Sequence, residues 1–265
     1  MNALRATGMT VRYGGVQAVA DVDLELHPHK LVGLIGPNGA GKTSLIDAVT
    51  GFTSASGRVF LGDRDITRSR PDQRARAGLM RTWQSADLFE DLTVRENLLV
   101  SAHHPSVWQA LVEFASGRPP RHSGIDRALE LMDLRDLAER RADELTEGQR
   151  KLVAVARSLA PVPSVLCLDE PAAGLDAVES RELGKRLRRV LDTGIALLLI
   201  DHDMDLVMSV CDELVVLDFG RVIARGTPEA IRNDPDVLSA YLGASSAAAT
   251  ATPQDGAEDD GGLNG

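Results

Sequence analysis

The segment that most restricts this chain runs from Gly36 to Thr43 and reads Gly-Pro-Asn-Gly-Ala-Gly-Lys-Thr. It fits the spacing G-x-x-x-x-G-K-[ST], and the chemistry follows from the residue types. Glycines let the backbone curl until successive N–H groups point into one cavity. A helix starting directly after them adds unpaired donors and the positive end of its dipole. Lys42 brings a point charge for β- and γ-phosphates. Thr43, followed by Ser44, offers a hydroxyl to a hard divalent cation such as Mg²⁺. Gly36, Pro37, Asn38, Gly39, Ala40, Gly41, Lys42, Thr43 and Ser44 are therefore the candidate phosphate-binding residues. The flanks agree. Leu31 to Ile35 is apolar without alternation, the pattern of a strand buried on both faces of a parallel sheet. Leu45, Ile46, Ala48 and Val49 follow at helical spacing, and Gly51 is placed to end that helix.

Two further runs have the character of buried parallel strands. Val165 to Leu168 is apolar and is followed by Asp169 and Glu170. In open α/β sheets ligands bind at the carboxyl ends of strands, where these two acids arrive. Asp169 is suited to the Mg²⁺ shell, through water, and Glu170 to orienting or deprotonating a water that attacks a γ-phosphate. An apolar run ending in two acids also reads as a plain strand end; the phosphate loop is what favours the catalytic reading. Ile195 to Ile200 is the second run, and it delivers His202, which can hydrogen-bond the γ-phosphate or serve structure alone. Gln84 follows the strand-like run Met80-Arg81-Thr82-Trp83. It can touch Mg²⁺ and the attacking water, and in isolation it also reads as a surface residue.

Around these motifs, Val16, Ala18, Ala20, Val22, Leu24 and Leu26 alternate with polar residues, the pattern of a half-buried antiparallel strand. Residues 57–66 read as short strands turning at Gly62-Asp63. Leu92 to Ala160 reads as helical, with segments at Leu92–Leu99 and Trp108–Val112, a breaker-rich loop at Ser116–Gly124, and a helix over Ile125–Leu137. A helix face through Leu183 and Leu191 and a hairpin around Asp218-Phe219-Gly220 complete the pattern. The expected fold is α/β: a mainly parallel core sheet, an N-terminal antiparallel β subdomain, and an α-helical subdomain inserted at about 86–160 of a domain spanning 1–243. Residues 244–265 reduce to Ala, Ser, Thr, Gly and acid, which predicts a disordered tail.

Charge excludes some functions. With 29 basic against 39 acidic residues the net charge is −10, which disfavours nucleic acid and anionic lipid as partners. No stretch approaches the roughly 18 apolar residues of a membrane span. Met1 to Thr10 lacks the apolar core of a signal peptide. Cys167 and Cys211 sit in apolar surroundings without zinc-ligand spacing, as buried thiols in a reducing compartment do, which predicts a cytoplasmic location.

Taken in order, these elements resemble the ATP-binding subunits of ABC transporters, built on a P-loop NTPase core, over roughly residues 4–243. Leu145-Thr146-Glu147-Gly148-Gln149 looks like the family's signature loop, usually Leu-Ser-Gly-Gly-Gln, ahead of a helix over Arg150–Leu159. Ala173-Gly174-Leu175-Asp176 looks like its D-loop, His202 like its switch histidine and Gln84 like its Q-loop glutamine. Tyr13 sits where the family places an aromatic ring against adenine. The resemblance implies ATP and Mg²⁺ as ligands, with Tyr13, Thr146, Gly148, Gln149 and Asp176 at the nucleotide. It implies Thr43, Gln84 and Asp169 at the metal, and Glu170, His202, Gln84 and Lys42 in catalysis. It further implies a head-to-tail dimer with a second ATPase subunit, paralogue or self, together with transmembrane permease subunits at the cytoplasmic membrane face and, indirectly, a solute-binding protein. Thr146 replaces the usual Ser and keeps the hydroxyl. Glu147 replaces a Gly, and a carboxylate beside triphosphate must point to solvent.

Gly14-Gly15-Val16-Gln17-Ala18-Val19, Arg81-Thr82-Trp83-Gln84, Asp91 to Asn97 and Gly226 to Val237 resemble the ATPases of branched-chain amino-acid importers. ATPases for urea or amide uptake and for lipid export look alike, and soluble ABC ATPases are a more distant alternative. Those soluble proteins carry two nucleotide domains or long coiled-coil insertions, and this chain has neither.

Overall fold

The computed structural model describes residues 3–82, 87–102 and 123–241. An antiparallel hairpin, β1 (Leu4–Tyr13) and β2 (Val16–Leu26), opens the chain. β3 (Leu31–Ile35) runs into the phosphate loop and α1 (Lys42–Thr50). β4 (Ser56–Leu61), β5 (Arg64–Asp65), α2 (Pro71–Arg76) and β6 (Leu79–Arg81) follow. Next come α3 (Val94–Ala102), α4 (Ser123–Leu131), 3-10 turns at Arg135–Leu137 and Ala142–Glu144, and α5 (Glu147–Leu159). The chain then alternates through β7 (Val165–Asp169), α6 (Ala177–Asp192), β8 (Ala196–Ile200) and α7 (Met204–Val210). The hairpin β9 (Glu213–Asp218) and β10 (Arg221–Gly226), α8 (Pro228–Arg232) and a helical stretch at 235–241 end the described chain.

The strands form two sheets. One is antiparallel, in the order β2-β1-β4-β5; the other has six strands in the order β10-β9-β3-β8-β7-β6. In the six-stranded sheet β10 is antiparallel to β9 and every other pairing is parallel. The unalternating runs are the centre of that sheet: all residues of β3, β7 and β8 are buried. Successive side chains of a strand point to opposite faces, so each strand feeds two cores. Leu31, Ile35, Leu166, Leu168, Leu197 and Leu199 pack with α4, α5 and α6. Val32, Leu34, Val165, Cys167, Leu198 and Ile200 pack with α1 and the antiparallel sheet. Both cysteines are buried free thiols, and burial pushes each up to about 12.

The structure corrects three expectations. In β2 Val16 is exposed while Val19 and Ala20 are both buried, because register shifts in the β1–β2 ladder, beside Asp21 at φ 54°, reverse the alternation. The helix expected over Ile125–Leu137 ends at Leu131. Asp133 takes φ 54° and turns the chain, yet Met132 and Leu134 remain buried, so the apolar spacing survives the break. The helix expected from Arg150 starts at Glu147, because Thr146 caps it. The segment at Trp108–Val112, most of the loop at Ser116–Gly124, Trp83, Gln84 and the acidic tail lie outside the described residues.

α1 is fixed at its C-terminal end. Gly51, at φ 88°, closes it, and the buried Arg74 donates to the carbonyls of Ala48 and Val49, placing a cation at the negative end of the helix dipole. Among the described residues no helix is long and apolar enough to cross a membrane.

Candidate functional site

Strand order assembles the site. The phosphate loop follows β3, His202 follows β8 and Asp169-Glu170 closes β7, and these three strands are adjacent and parallel. Neighbouring strands lie about 4.8 Å apart, so their carboxyl-end loops form one row. β6, which leads towards Gln84, is next in that row, although Gln84 itself is outside the described residues.

The phosphate loop is held by backbone against backbone. Gly36 has φ 146°, and a Cβ there would sit 2.0 Å from the Leu217 carbonyl oxygen. Gly41 has φ 101°, and a Cβ would sit 2.3 Å from the Ala18 carbonyl oxygen. The β9–β10 turn braces the loop: Gly220 N–H donates to Ala40 O at 2.9 Å and Gly220 O accepts from Ala20 N–H at 2.8 Å. No side chain caps the N-terminus of α1, which leaves that end to an anion. Lys42 Nζ donates to Gly36 O at 2.7 Å and Pro37 O at 2.9 Å, which aims the ammonium along the loop. Burial lowers the Lys42 pKa, and the charges of Glu170 and Asp169 oppose that shift. Asn38, Gly39 and Thr43 are exposed and Ser44 is half-buried.

Opposite the loop, Asp169 is 2% exposed. Its Oδ2 accepts from Arg81 Nη2 at 2.7 Å, and its Oδ1 is buried with no hydrogen-bond partner among the described residues. A buried carboxylate oxygen left unpaired and an exposed hydroxyl on Thr43 are a donor set that suits Mg²⁺, which takes one or two carboxylates and keeps several waters. Glu170 sits in the left-handed region at φ 49°, a conformation costing a bulky residue about 1–3 kcal/mol and held by neighbours at sites of function. Its N–H donates to Ile200 O at 2.7 Å, so β8 sets its position. His202 is exposed, and its Nδ1 lies 3.7 Å from Oδ1 of the fully buried Asp201 side chain. Asp201 accepts from the backbone N–H groups of Ala172 at 2.9 Å and Asp203 at 3.0 Å, which ties the His202 turn to the chain just after Glu170.

The remaining candidates fall into two places. Tyr13 is 48% exposed, on the hairpin whose Ala18 carbonyl packs on Gly41. Thr146, Gly148 and Gln149 stand instead at the start of α5, in a capping box: Gln149 N–H donates to Thr146 Oγ1 at 3.3 Å and Thr146 N–H donates to Gln149 Oε1 at 3.0 Å. Glu147 is exposed, as expected, and does not take a positive φ. Gly148 packs against Glu179 and Leu175, and Lys151 Nζ donates to Ala173 O, so this loop is tied to residues 173–179 of its own chain. Asp176 caps α6, accepting from the N–H groups of Val178 at 2.7 Å and Glu179 at 2.9 Å, which lowers its pKa.

Sequence reasoning missed four contributors. Arg81 bridges Asp169 to Asp47 on α1. Asp201 carried the signal of an acid before a strand-end histidine. Tyr241, in the final helical stretch, packs on the main core, where burial raises its pKa and the nearby Gly36 backbone opposes that shift. For Asp47 and Tyr241 no local pattern exists, because their partners are distant in sequence.

The fold agrees with comparison to known proteins. The family model "ABC transporter" matches residues 19–173, and the model "Branched-chain amino acid ATP-binding cassette transporter" matches residues 221–247. The chain is 41% identical over 248 residues to the high-affinity branched-chain amino acid transport ATP-binding protein LivG of Escherichia coli (strain K12), covering 91% of this chain and 97% of that one. It is 38% identical to the corresponding protein BraF of Pseudomonas aeruginosa, with the same coverage. Among solved structures, the ADP conformation of an ATP-binding cassette of an ABC transporter superposes with TM-score 0.80 at 31% identity, covering 92% of this chain and 99% of that one. A nucleotide-free cassette gives TM-score 0.78 at 32% identity, covering 91% and 99%. The chain belongs to the family of ABC transporter ATP-binding subunits, and it is an ATP hydrolase.

Proposed function

We propose that this chain is the ATP-hydrolysing subunit of an importer for branched-chain or other hydrophobic amino acids. One observation carries the reading: the general ABC match over 19–173 and the branched-chain match over 221–247 occur in one chain. The 41% identity to LivG supports the same assignment.

The adenine of ATP stacks on Tyr13. The loop from Gly36 to Ser44 and the open end of α1 receive the phosphates, and Lys42 contacts the β- and γ-phosphates. Thr43, Asp169 and Gln84 hold Mg²⁺, which when bound draws charge from the phosphoryl oxygens. Glu170 takes a proton from the attacking water while the oxygen bonds to the γ-phosphorus and ADP departs. His202 hydrogen-bonds the γ-phosphate and keeps that water in line. Thr146, Gly148 and Gln149, at the start of α5, serve the ATP of a second ATPase subunit, joined head to tail. That partner is a paralogue or a second copy. Loss of the γ-phosphate removes the bridge, and the helical segment passes the motion to permease subunits at the cytoplasmic membrane face. A solute-binding protein selects the cargo.

A tagged pull-down from gently solubilised native membranes, read by mass spectrometry, tests this. The expected result is two polytopic permeases and a second ATPase, with a solute-binding protein that takes up branched-chain amino acids. Recovery of soluble proteins alone would overturn the transport role; a binding protein for urea, amides or lipid would overturn the cargo.

A further inference from the structure

We propose that Arg81 is a positioning residue for the metal-binding carboxylate: it fixes Asp169 so that one oxygen alone faces the phosphates, and it ties that carboxylate to the helix of the phosphate loop. This rests on the reading of Asp169 as the magnesium carboxylate.

Arg81 is the last residue of β6, paired in register with Cys167 of β7, and its side chain is 5% exposed. One end of the guanidinium donates to Asp169 Oδ2 at 2.7 Å; the other donates to Asp47 Oδ1 on α1. Asp47 lies five residues after Lys42, on the same helix. A planar fork can hold two carboxylates in fixed directions at once, which a single ammonium cannot. With Oδ2 taken, the unpaired Oδ1 is what remains for the metal's water shell. The same guanidinium therefore joins α1, the acid strand and the chain that leads in three residues to Gln84.

Stability alone does not account for this arrangement. Burying an ion triad costs desolvation, and apolar side chains of the same volume are often as stabilising. Charge alone does not account for it either, since a cation beside Asp169 works against a second cation. What the fork supplies is direction, as outer partners of metal ligands do.

The test keeps the charge and removes the fork. Affinity for a non-hydrolysable ATP analogue is measured by calorimetry with excess Mg²⁺ and with EDTA, in wild type, Arg81→Lys, Asp47→Asn and Asp169→Asn. In Arg81→Lys the affinity in EDTA stays within about twofold and the gain on adding Mg²⁺ falls roughly tenfold. Asp47→Asn leaves the Arg81–Asp169 pair in place and loses the anchor, so its gain falls by roughly threefold. It also serves if Arg81→Lys does not fold. A wild-type gain in folded Arg81→Lys, or in Asp47→Asn, would overturn the positioning role. If Asp169→Asn also kept the wild-type gain, the reading of Asp169 itself would fall.

Discussion

The phosphate loop and the signature loop are built on opposite principles. The phosphate loop is braced by the core: Gly36 and Gly41 fit only because they lack a Cβ against the carbonyls of Leu217 and Ala18, and Gly220 N–H holds the Ala40 carbonyl. The signature loop, at the head of α5, holds its shape through its own capping box and meets residues 173–179 through side chains, Gly148 lying against Glu179 and Leu175 and Lys151 on the Ala173 carbonyl. One half of the site is finished within the chain. The half proposed for a partner's nucleotide is a helix end with Thr146 and Glu147 exposed. On the function proposed above, rigid backbone contact suits the half that binds nucleotide within one chain, and a self-capped end suits the half that docks.

Substitutions can break or sharpen this contrast. The largest effect belongs to Glu170→Gln, which removes the proton acceptor and leaves the phosphate contacts: turnover measured by phosphate release falls roughly 10²–10⁴-fold while ATP titration shows binding retained. Turnover near wild type would remove Glu170 from catalysis. Next comes a matched pair. Gly41→Ala places a methyl on a backbone oxygen at positive φ and costs about 2–4 kcal/mol in denaturant unfolding. Gly148→Ala meets side-chain ends alone, those of Glu179 and Leu175, and costs under about 1 kcal/mol, yet it slows ATP-dependent association. Equal losses of stability in the pair would erase the contrast. Tyr241→Phe deletes one hydroxyl, and calorimetry should show nucleotide affinity down about fivefold, the worth of one hydrogen bond near 1 kcal/mol. An unchanged affinity would leave the last helix as cover alone. The smallest effect is Glu147→Gly, where loss of an exposed charge near a partner's triphosphate raises turnover about twofold at low salt; slower turnover would contradict the outward placement.

The contrast also explains what could be read from the sequence. The phosphate loop, its two flanking elements and the three buried strands were legible because each is a local pattern: a spacing, or a run without alternation. That these runs are parallel strands ending in the site's residues was legible, but their order β3-β8-β7, which makes the row, is set by pairings distant in sequence. Arg81, Asp47 and Tyr241 were not legible. Arg81 meets Asp169 across 88 positions and Asp47 across 34, and an arginine ending a short strand carries no mark of a buried fork. The break at Asp133 was hidden for a different reason. Met132 and Leu134 keep the apolar spacing, and the turn shows only in a backbone angle, held where Asp133 binds Arg186 and Arg189 on α6. Apolar periodicity reports burial, and it does not report where a helix stops.

The central claim, that the signature loop of this chain completes the site of another, is tested most directly by a photo-crosslinker at position 147 in the Glu170→Gln protein within its native membrane complex. With ATP, mass spectrometry should find the crosslink on the phosphate loop of a partner ATPase, and without ATP that crosslink should be lost. A crosslink to residues 36–44 of the same chain, or one indifferent to ATP, would contradict the account.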